Sequence, residues 1–232
     1  MAFQEDHLQN KIVKVSKNTI LYAVWKPKEI TLSFGTGGDS SVYGQGVSNV
    51  ITAIGVKTYL PDCTYKKTGY NFAGWKDTNT NTVYKSTATK RASGVFSTDT
   101  SFITTWEPIT YSVTFLARNY DEVGSLVPAK ITGIKYTDDI TIPKTTLIRK
   151  GYTFKGWSRS QDASVADYAA AGVTIPEAKL TAIDGGEIIL YDVWDADAYT
   201  IKFNGNGGIA SSPMEDKNLP YGEEWKLTKN TF

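Results

Sequence analysis

The sequence predicts a mainly β, tandem-repeat array of two complete small modules flanked by two partial ones, and three recurring motifs carry that prediction. Gly69-Tyr70-Asn71-Phe72-Ala73-Gly74-Trp75 returns as Gly151-Tyr152-Thr153-Phe154-Lys155-Gly156-Trp157, 82 positions later (157 − 75). A run closing on tryptophan appears three times, at 20–25, 101–106 and 189–194; Trp25, Trp106 and Trp194 lie 81 (106 − 25) and 88 (194 − 106) positions apart. An opening run ending in Phe34, Phe115 and Phe203 shows the same two offsets, 81 (115 − 34) and 88 (203 − 115). Three motifs sharing one period mark a repeat architecture.

In chain order, residues 1–26 carry the closing strand of a preceding unit, 27–108 and 109–197 are complete units, and 198–232 opens a following one. The array is therefore expected to continue in both directions. Opening strands alternate in the period-two manner of a half-buried strand: Tyr111, Val113 and Phe115 face one way, Ser112 and Thr114 the other. Asn204-Gly205-Asn206-Gly207-Gly208 and Gly35-Thr36-Gly37-Gly38 can supply the positive φ values of a hairpin turn; Leu116-Ala117-Arg118-Asn119 cannot, so that turn should be wider. Within the seven-residue motif, strict alternation puts Tyr152, Phe154 and Gly156 on one face and Trp157 on the other. The aromatic residues of the motif and Trp25, Trp106 and Trp194 are read as core anchors, the glycines as places of turn or close backbone approach. Closing strands such as 189–194 are apolar on both faces and suit a central, buried strand.

Helix is expected at one place, residues 163–171, stopped by Gly172 and capped by Asp162 or Ser164. Short connectors are expected at Glu107-Pro108 and Asp195-Ala196-Asp197. The last fragment offers Trp225-Lys226-Leu227-Thr228 as its second strand. A fragment with an unburied apolar face should fray, dock on its neighbouring unit, or pair head-to-tail with another molecule.

The motifs resemble the Listeria–Bacteroides repeat family, the B-repeats of internalin-type surface proteins. Gly-Tyr-x-Phe-x-Gly-Trp carries most of that resemblance, supported by the opening strand with Asn-Gly-rich residues and the closing Leu-Tyr-x-x-Trp. It extends over nearly the whole chain. The resemblance implies β-grasp (ubiquitin-like) modules strung on secreted or wall-anchored bacterial proteins, and no enzymatic activity. The first unit departs from the pattern where Phe102-Ile103-Thr104-Thr105-Trp106 lacks the tyrosine, and the second where Leu116-Ala117-Arg118 replaces the glycine-rich turn.

Composition narrows the function classes. The chain has 232 residues, 41% hydrophobic and 12% aromatic, enough to bury a core. Its 25 basic and 24 acidic residues are interspersed, which argues against a nucleic-acid stripe or a basic membrane patch. No apolar run of about 18 residues is present to span a bilayer, and the first six residues lack the layout of an export signal. If the protein is extracellular, as the family implies, signal and anchor lie outside this chain. Cys63 is alone, so neither an internal disulfide nor a multi-thiolate metal site can form; it reads as a half-buried filler. The single histidine, His7, lies in a polar terminal stretch, a poor place for a nucleophile's base.

The acidic pairs Asp138-Asp139 and Glu223-Glu224 have the residue types of calcium ligands or of a glycosidase acid and base. Adjacent strand residues point to opposite faces, and the first unit has Val56-Lys57 there, so a solvated turn is the better reading. Asp195-Ala196-Asp197 and Asp184-Gly185-Gly186-Glu187 lack full calcium-loop spacing, and no cofactor is expected. Tyr43, Tyr59, Tyr65, Tyr120 and Tyr168 fall outside the shared motifs and are the candidate binding-face aromatics. The expected function is a non-catalytic surface segment, a stalk or spacer that also adheres to a host or matrix protein or glycan. A carbohydrate-binding module of a secreted glycan-active protein is the alternative.

Overall fold

A computed structural model describes residues 3–4, 14–18, 20, 22, 25–87, 89–118, 120–170, 172–176, 179–209, 211–212 and 214–232. The chain divides into two compact units, Met1–Pro108 and Ile109–Phe232. Among the described residues there is no helix.

The first unit contains β1 (Phe3–Gln4), β2 (Lys26–Pro27), β3 (Glu29–Gly35), β4 (Val42–Gly44), β5 (Val50–Ala53) and β6 (Lys57–Tyr59). It continues with β7 (Tyr65–Lys67), β8 (Tyr70–Asp77), β9 (Val83–Tyr84), β10 (Ser93–Val95) and β11 (Thr100–Pro108). Its main sheet runs β4-β7-β8-β11-β3-β5 with β9 attached to β8, while β6 pairs with β10 and β1 with β2. The second unit contains β12 (Thr110–Leu116), β13 (Ile131–Lys135), β14 (Ile140–Thr141), β15 (Tyr152–Ser158) and β16 (Tyr168–Ala169). Then come β17 (Thr174–Ile175), β18 (Gly186–Ala196), β19 (Ala198–Ile201) and β20 (Lys217–Pro220). Its sheet runs β13-β12-β18-β15-β16, with two-stranded ladders β14–β17 and β19–β20.

The two units repeat one arrangement. The opening strand pairs antiparallel with a strand that follows it (β3 with β5 beyond β4, β12 with β13) and parallel with the closing strand (β3 with β11, β12 with β18). The motif strand then pairs antiparallel with the closing strand (β8 with β11, β15 with β18). A parallel neighbour pair requires a long crossover. Here that crossover carries the small ladders β6–β10 and β14–β17 and the buried Leu60 and Ile142. The helix that a β-grasp module lays across its sheet has no counterpart among the described residues.

Alternation in the opening strands decides what is buried. Ile30, Leu32 and Phe34 enter one core; Tyr111, Val113 and Phe115 enter the other at equivalent positions. Leu60 and Ile142, Trp75 and Trp157, and Phe102 and Leu190 complete the correspondence. The closing strand is central in each sheet, but Ile189 is 37% exposed, so only one of its faces is fully buried.

Several expectations are corrected. Residues 163–170 form bends, irregular backbone and β16 in place of a helix: Tyr168 and Ala169 pair with Trp157 and Gly156 on β15. A helix of that length is marginal alone, and the exposed edge of β15 offers a ladder that it cannot match. Asp167, inside the expected helix, instead accepts hydrogen bonds from Ser158 Oγ and Arg159 N, both 2.8 Å. The connectors Glu107-Pro108 and Asp195-Ala196 are the ends of β11 and β18, so the closing strands run almost into the next opening strands. In the last fragment the second strand is β20, not residues 225–228. Tyr199 pairs with Leu219 just as Tyr111 pairs with Ile134, so β19–β20 reproduces the opening hairpin of a unit. The closing strand expected at 20–25 lies largely outside the described residues. Ile20, Tyr22 and Trp25 are exposed and outside any strand, so Trp25 is not buried as a core anchor.

Candidate functional site

The seven-residue motif is held by one device in both units. Phe154 stands opposite Trp194, but Gly156 stands opposite Val193, so Lys155 is an extra residue, a β-bulge. The first unit has the same step: Phe72 opposite Trp106, Gly74 opposite Thr105, with Ala73 the extra residue. A bulge reverses the parity of everything after it. Trp157 therefore lies on the face of Phe154, not the opposite one, and the two rings sit 5.5 Å apart, edge to face. Phe72 and Trp75 do the same at 5.2 Å. The expected alternation is thus overturned at Gly74 and Gly156, whose φ values of +146° and +135° are ones that glycine adopts most readily.

Trp75 and Trp157 are the two largest fully buried side chains among the described residues. Their opening-strand phenylalanines meet them edge-on, Phe34 at 4.9 Å and Phe115 at 5.1 Å. The closing tryptophans form a second layer: Trp106 lies 5.8 Å from Phe72, and Trp194 lies 5.2 Å from Phe154. Each donates its ring N–H to the residue two positions earlier, Trp106 to Thr104 Oγ1 at 3.0 Å and Trp194 to Asp192 Oδ2 at 2.6 Å. Tyr70 and Tyr152 complete the motif with a cation over each ring, Lys67 at 4.7 Å and Arg149 at 3.6 Å. Gly69 and Gly151 take the turns before them, with φ of +78° and +75°.

The units differ at one buried atom. Trp75 Nε1 donates to the Pro61 carbonyl at 2.9 Å. Trp157 Nε1 is buried without a partner among the described residues. Exchanging Trp75 for phenylalanine strands the Pro61 carbonyl, whereas exchanging Trp157 removes a donor that was already unmet. Trp75→Phe is therefore expected to destabilise its unit by about 1 kcal/mol more than Trp157→Phe does. Chemical denaturation followed by hydrogen exchange in each unit checks the difference.

The candidate binding-face tyrosines separate into two groups. Tyr43 and Tyr59 are each 54% exposed. Tyr65 lies 6.5 Å from Trp75, and Tyr120 and Tyr168 pack against the second core. Tyr168 is shared after all: it stands opposite Trp157 as Tyr84 stands opposite Trp75. The spacing from Trp to Tyr differs by two residues between the units, 9 (84 − 75) against 11 (168 − 157), and that shift hides the match in the sequence. Burial raises the phenol pKa of both Tyr84 and Tyr168.

Among the acidic candidates, Asp138 and Asp184 sit in turns, and Asp195 lies in β18. Asp138 Oδ2 accepts from Lys135 N at 3.0 Å, and Asp184 Oδ1 accepts from Thr110 N at 3.0 Å. Among the described residues no three His, Cys, Asp or Glu side chains gather where they could hold a metal. Cys63 is half-buried, and burial raises its thiol pKa. His7 lies outside the described residues. The described residues line open clefts of about 450 Å³ beside Phe203, Met214 and Trp225 and of about 310 Å³ beside Lys155, Val165 and Asp195. Among the described residues no helix is long and apolar enough to cross a membrane.

The Asp39 carboxyl is held well below the usual carboxylate range. The Ser41 hydroxyl at 2.6 Å, the Lys67 ammonium at 2.9 Å and the Ser41 N–H at 3.0 Å hold it down to about 2. A folded-state pKa below the unfolded value contributes stability above pH 3.8 that is lost as pH falls toward 2. An NMR titration of its carboxyl carbon is expected to give a midpoint near 2, and Lys67→Met should raise that midpoint part of the way to 3.8.

Comparison with known proteins places the chain among repeats. The Listeria-Bacteroides repeat domain matches residues 31–96 and 111–182, one stretch in each unit. A protein of Evansella cellulosilytica that carries the provisional name of a Gly-rich membrane protein is 27% identical over 208 residues, 87% of this chain and 20% of that protein. A second protein of that organism, provisionally named a membrane protein, is 31% identical over 152 residues, 65% of this chain and 21% of that protein. The chain thus spans about a fifth of each relative. No solved structure matches it.

Proposed function

The chain belongs to the Listeria-Bacteroides repeat domain family, and from that premise we propose that it is a non-catalytic repeat segment of a bacterial surface or secreted protein, a stalk or spacer that also adheres to a host or matrix partner. The observation that carries this reading is what the two units share. They share cores: the opening-strand alternation, the bulged motif and the closing tryptophan. Among the described residues the shared polar contacts are local to turns and strand ends, as where Asp99 and Asp184 accept from Thr31 N and Thr110 N. Residues that recur in register all serve packing or turns, as expected when repetition supplies length and not chemistry. The membrane-protein names of relatives about five times longer support an exported location for a segment of this kind.

Adhesion falls to groups outside the shared cores. Tyr43 and Tyr59 are amphipathic rings, exposed and particular to the first unit. Tyr43→Ala and Tyr59→Ala are expected to change stability by less than about 0.5 kcal/mol and to weaken capture of the partner. The test presents immobilised matrix proteins and a glycan array to the chain and to both variants. Binding confined to glycans would replace adhesion to a protein with the carbohydrate-binding reading, and binding unaffected by either substitution would remove these tyrosines from the contact. For the spacer role, deleting residues 27–197 from the whole surface protein should bring an epitope beyond them closer to the cell. An unchanged height would refute the spacer.

A further inference from the structure

Gly151 is held to glycine twice over. Its φ of +75° favours glycine, but asparagine also tolerates that region. What excludes every side chain is the Tyr221 ring, which occupies the space where a Cβ on Gly151 would stand. Tyr221 follows β20, the second strand of the hairpin that reproduces a unit's opening. The motif of the second complete repeat thus leaves room for an aromatic residue of the hairpin that follows it within the same compact unit.

The contact has direction and partners. The Tyr221 ring meets Tyr152 edge-on at 5.8 Å and Tyr199 of β19 at 6.2 Å. On the other side of Tyr152, the Arg149 guanidinium lies 3.6 Å from that ring and 5.9 Å from Trp194. A continuous stack therefore runs from the closing tryptophan of the second unit into the following hairpin. Asp197, the one residue between β18 and β19, ties the backbone on both sides. Its N–H donates to the Gly151 carbonyl at 2.9 Å, and its carbonyl accepts from Tyr221 N at 2.7 Å. Its carboxylate accepts from Thr153 Oγ1 at 2.7 Å.

We propose that Gly151 and Tyr152 form a socket for the tyrosine that ends the following repeat's opening hairpin, β19–β20, so that the motif building one core also fixes how that hairpin sits. The occupant is a segment of the same chain. Head-to-tail pairing with a second molecule is the competing arrangement. A two-stranded hairpin is marginal alone, so β19–β20 depends on this seat for its order. That such a seat stiffens a spacer rests on the function proposed above; the socket itself is measured without reference to that function.

Hydrogen exchange on the full chain tests it. The Tyr221 and Asp197 amides, both bonded across the joint, should be protected. Tyr221→Ala should cut protection at both by at least about ten-fold while leaving the amides between β15 and β18 unchanged. Tyr221→Phe should retain protection, since the ring and not its hydroxyl fills the socket. Gly151→Asn, which accepts the left-handed φ but puts a Cβ into the ring, should reproduce the loss. Three results would overturn the proposal: both amides still protected in Tyr221→Ala, β15–β18 exposed to the same extent, or protection that rises with protein concentration. The last would mean that the hairpin is held by a neighbouring molecule. None of these outcomes depends on the epitope-height measurement, so the socket and the spacer fail separately.

Discussion

Trp157→Ala and Trp75→Ala should each destabilise their own unit by about 3–5 kcal/mol, the range for large core truncations. Each ring is almost wholly excluded from solvent and is the hub of an aromatic cluster. Trp75 touches Phe34, Tyr65 and Phe72, and Trp157 touches Phe115 and Phe154. Alanine leaves a cavity lined by rigid rings on a sheet whose strands cannot close over it, which places the cost toward the upper end. Hydrogen exchange resolved by residue is the suitable readout, because each unit has its own core and the other serves as internal reference. Equal loss of protection in both units would show that the cores are not separate. A loss below about 1 kcal/mol would contradict the burial of the ring.

Gly156→Ala should cost about 3 kcal/mol or more, from steric overlap in a packed site and backbone strain together. A Cβ at position 156 would overlap the Tyr168 carbonyl oxygen on β16, and it would do so at a φ of +135°. The obstacle is backbone, so no rotamer change relieves it. Gly74→Ala should be damaging for the same reason but less so, since its Cβ would stand 2.7 Å from the Tyr84 carbonyl oxygen. Gly38→Ala is the control. Its φ is +82°, but no atom lies within 4 Å of the added carbon, so only the conformational cost of about 1 kcal/mol should remain. Thermal melts of the three variants should rank Gly156→Ala as the most damaging. A Gly156→Ala protein as stable as Gly38→Ala would show that the close approach of β16 is not maintained in solution.

How far these sites were legible depends on the distance over which each signal acts. Tyr168 stands outside every motif by sequence spacing, but β16 carries it to the same place as Tyr84. The insertion lies in a surface turn, where length is tolerated, so register is lost in the sequence and kept in the sheet. The Asp192 carboxylate that holds Trp194 has Thr104 as its counterpart in the first unit. Two different residue types perform one task there, and motif matching by identity passes over such a pair. Residues 225–228 read as a strand because they alternate, but β20 won the pairing. Strand choice is settled by which segment completes the ladder with β19, and alternation alone carries no information about a partner.

The sequence by itself determined the repeat and its period, the β character of the units and the core residues that lie on the repeated motifs of the two complete units, Trp75 and Trp157 among them. Each of these is written locally. Alternation along 111–115 places Tyr111, Val113 and Phe115 on one face whatever strand lies beside them, and recurrence at a fixed offset needs no geometry to detect. Only the tertiary structure decided the face on which Trp75 and Trp157 lie, the strand that replaces the expected helix at 168–169, and the seating of Tyr221 over Gly151. The first turns on one residue of register, since a single bulged residue reverses every side chain beyond it; the others turn on which segment meets which, since a free sheet edge takes the segment that completes its ladder. Register is a relation between two strands, and it is fixed when they meet.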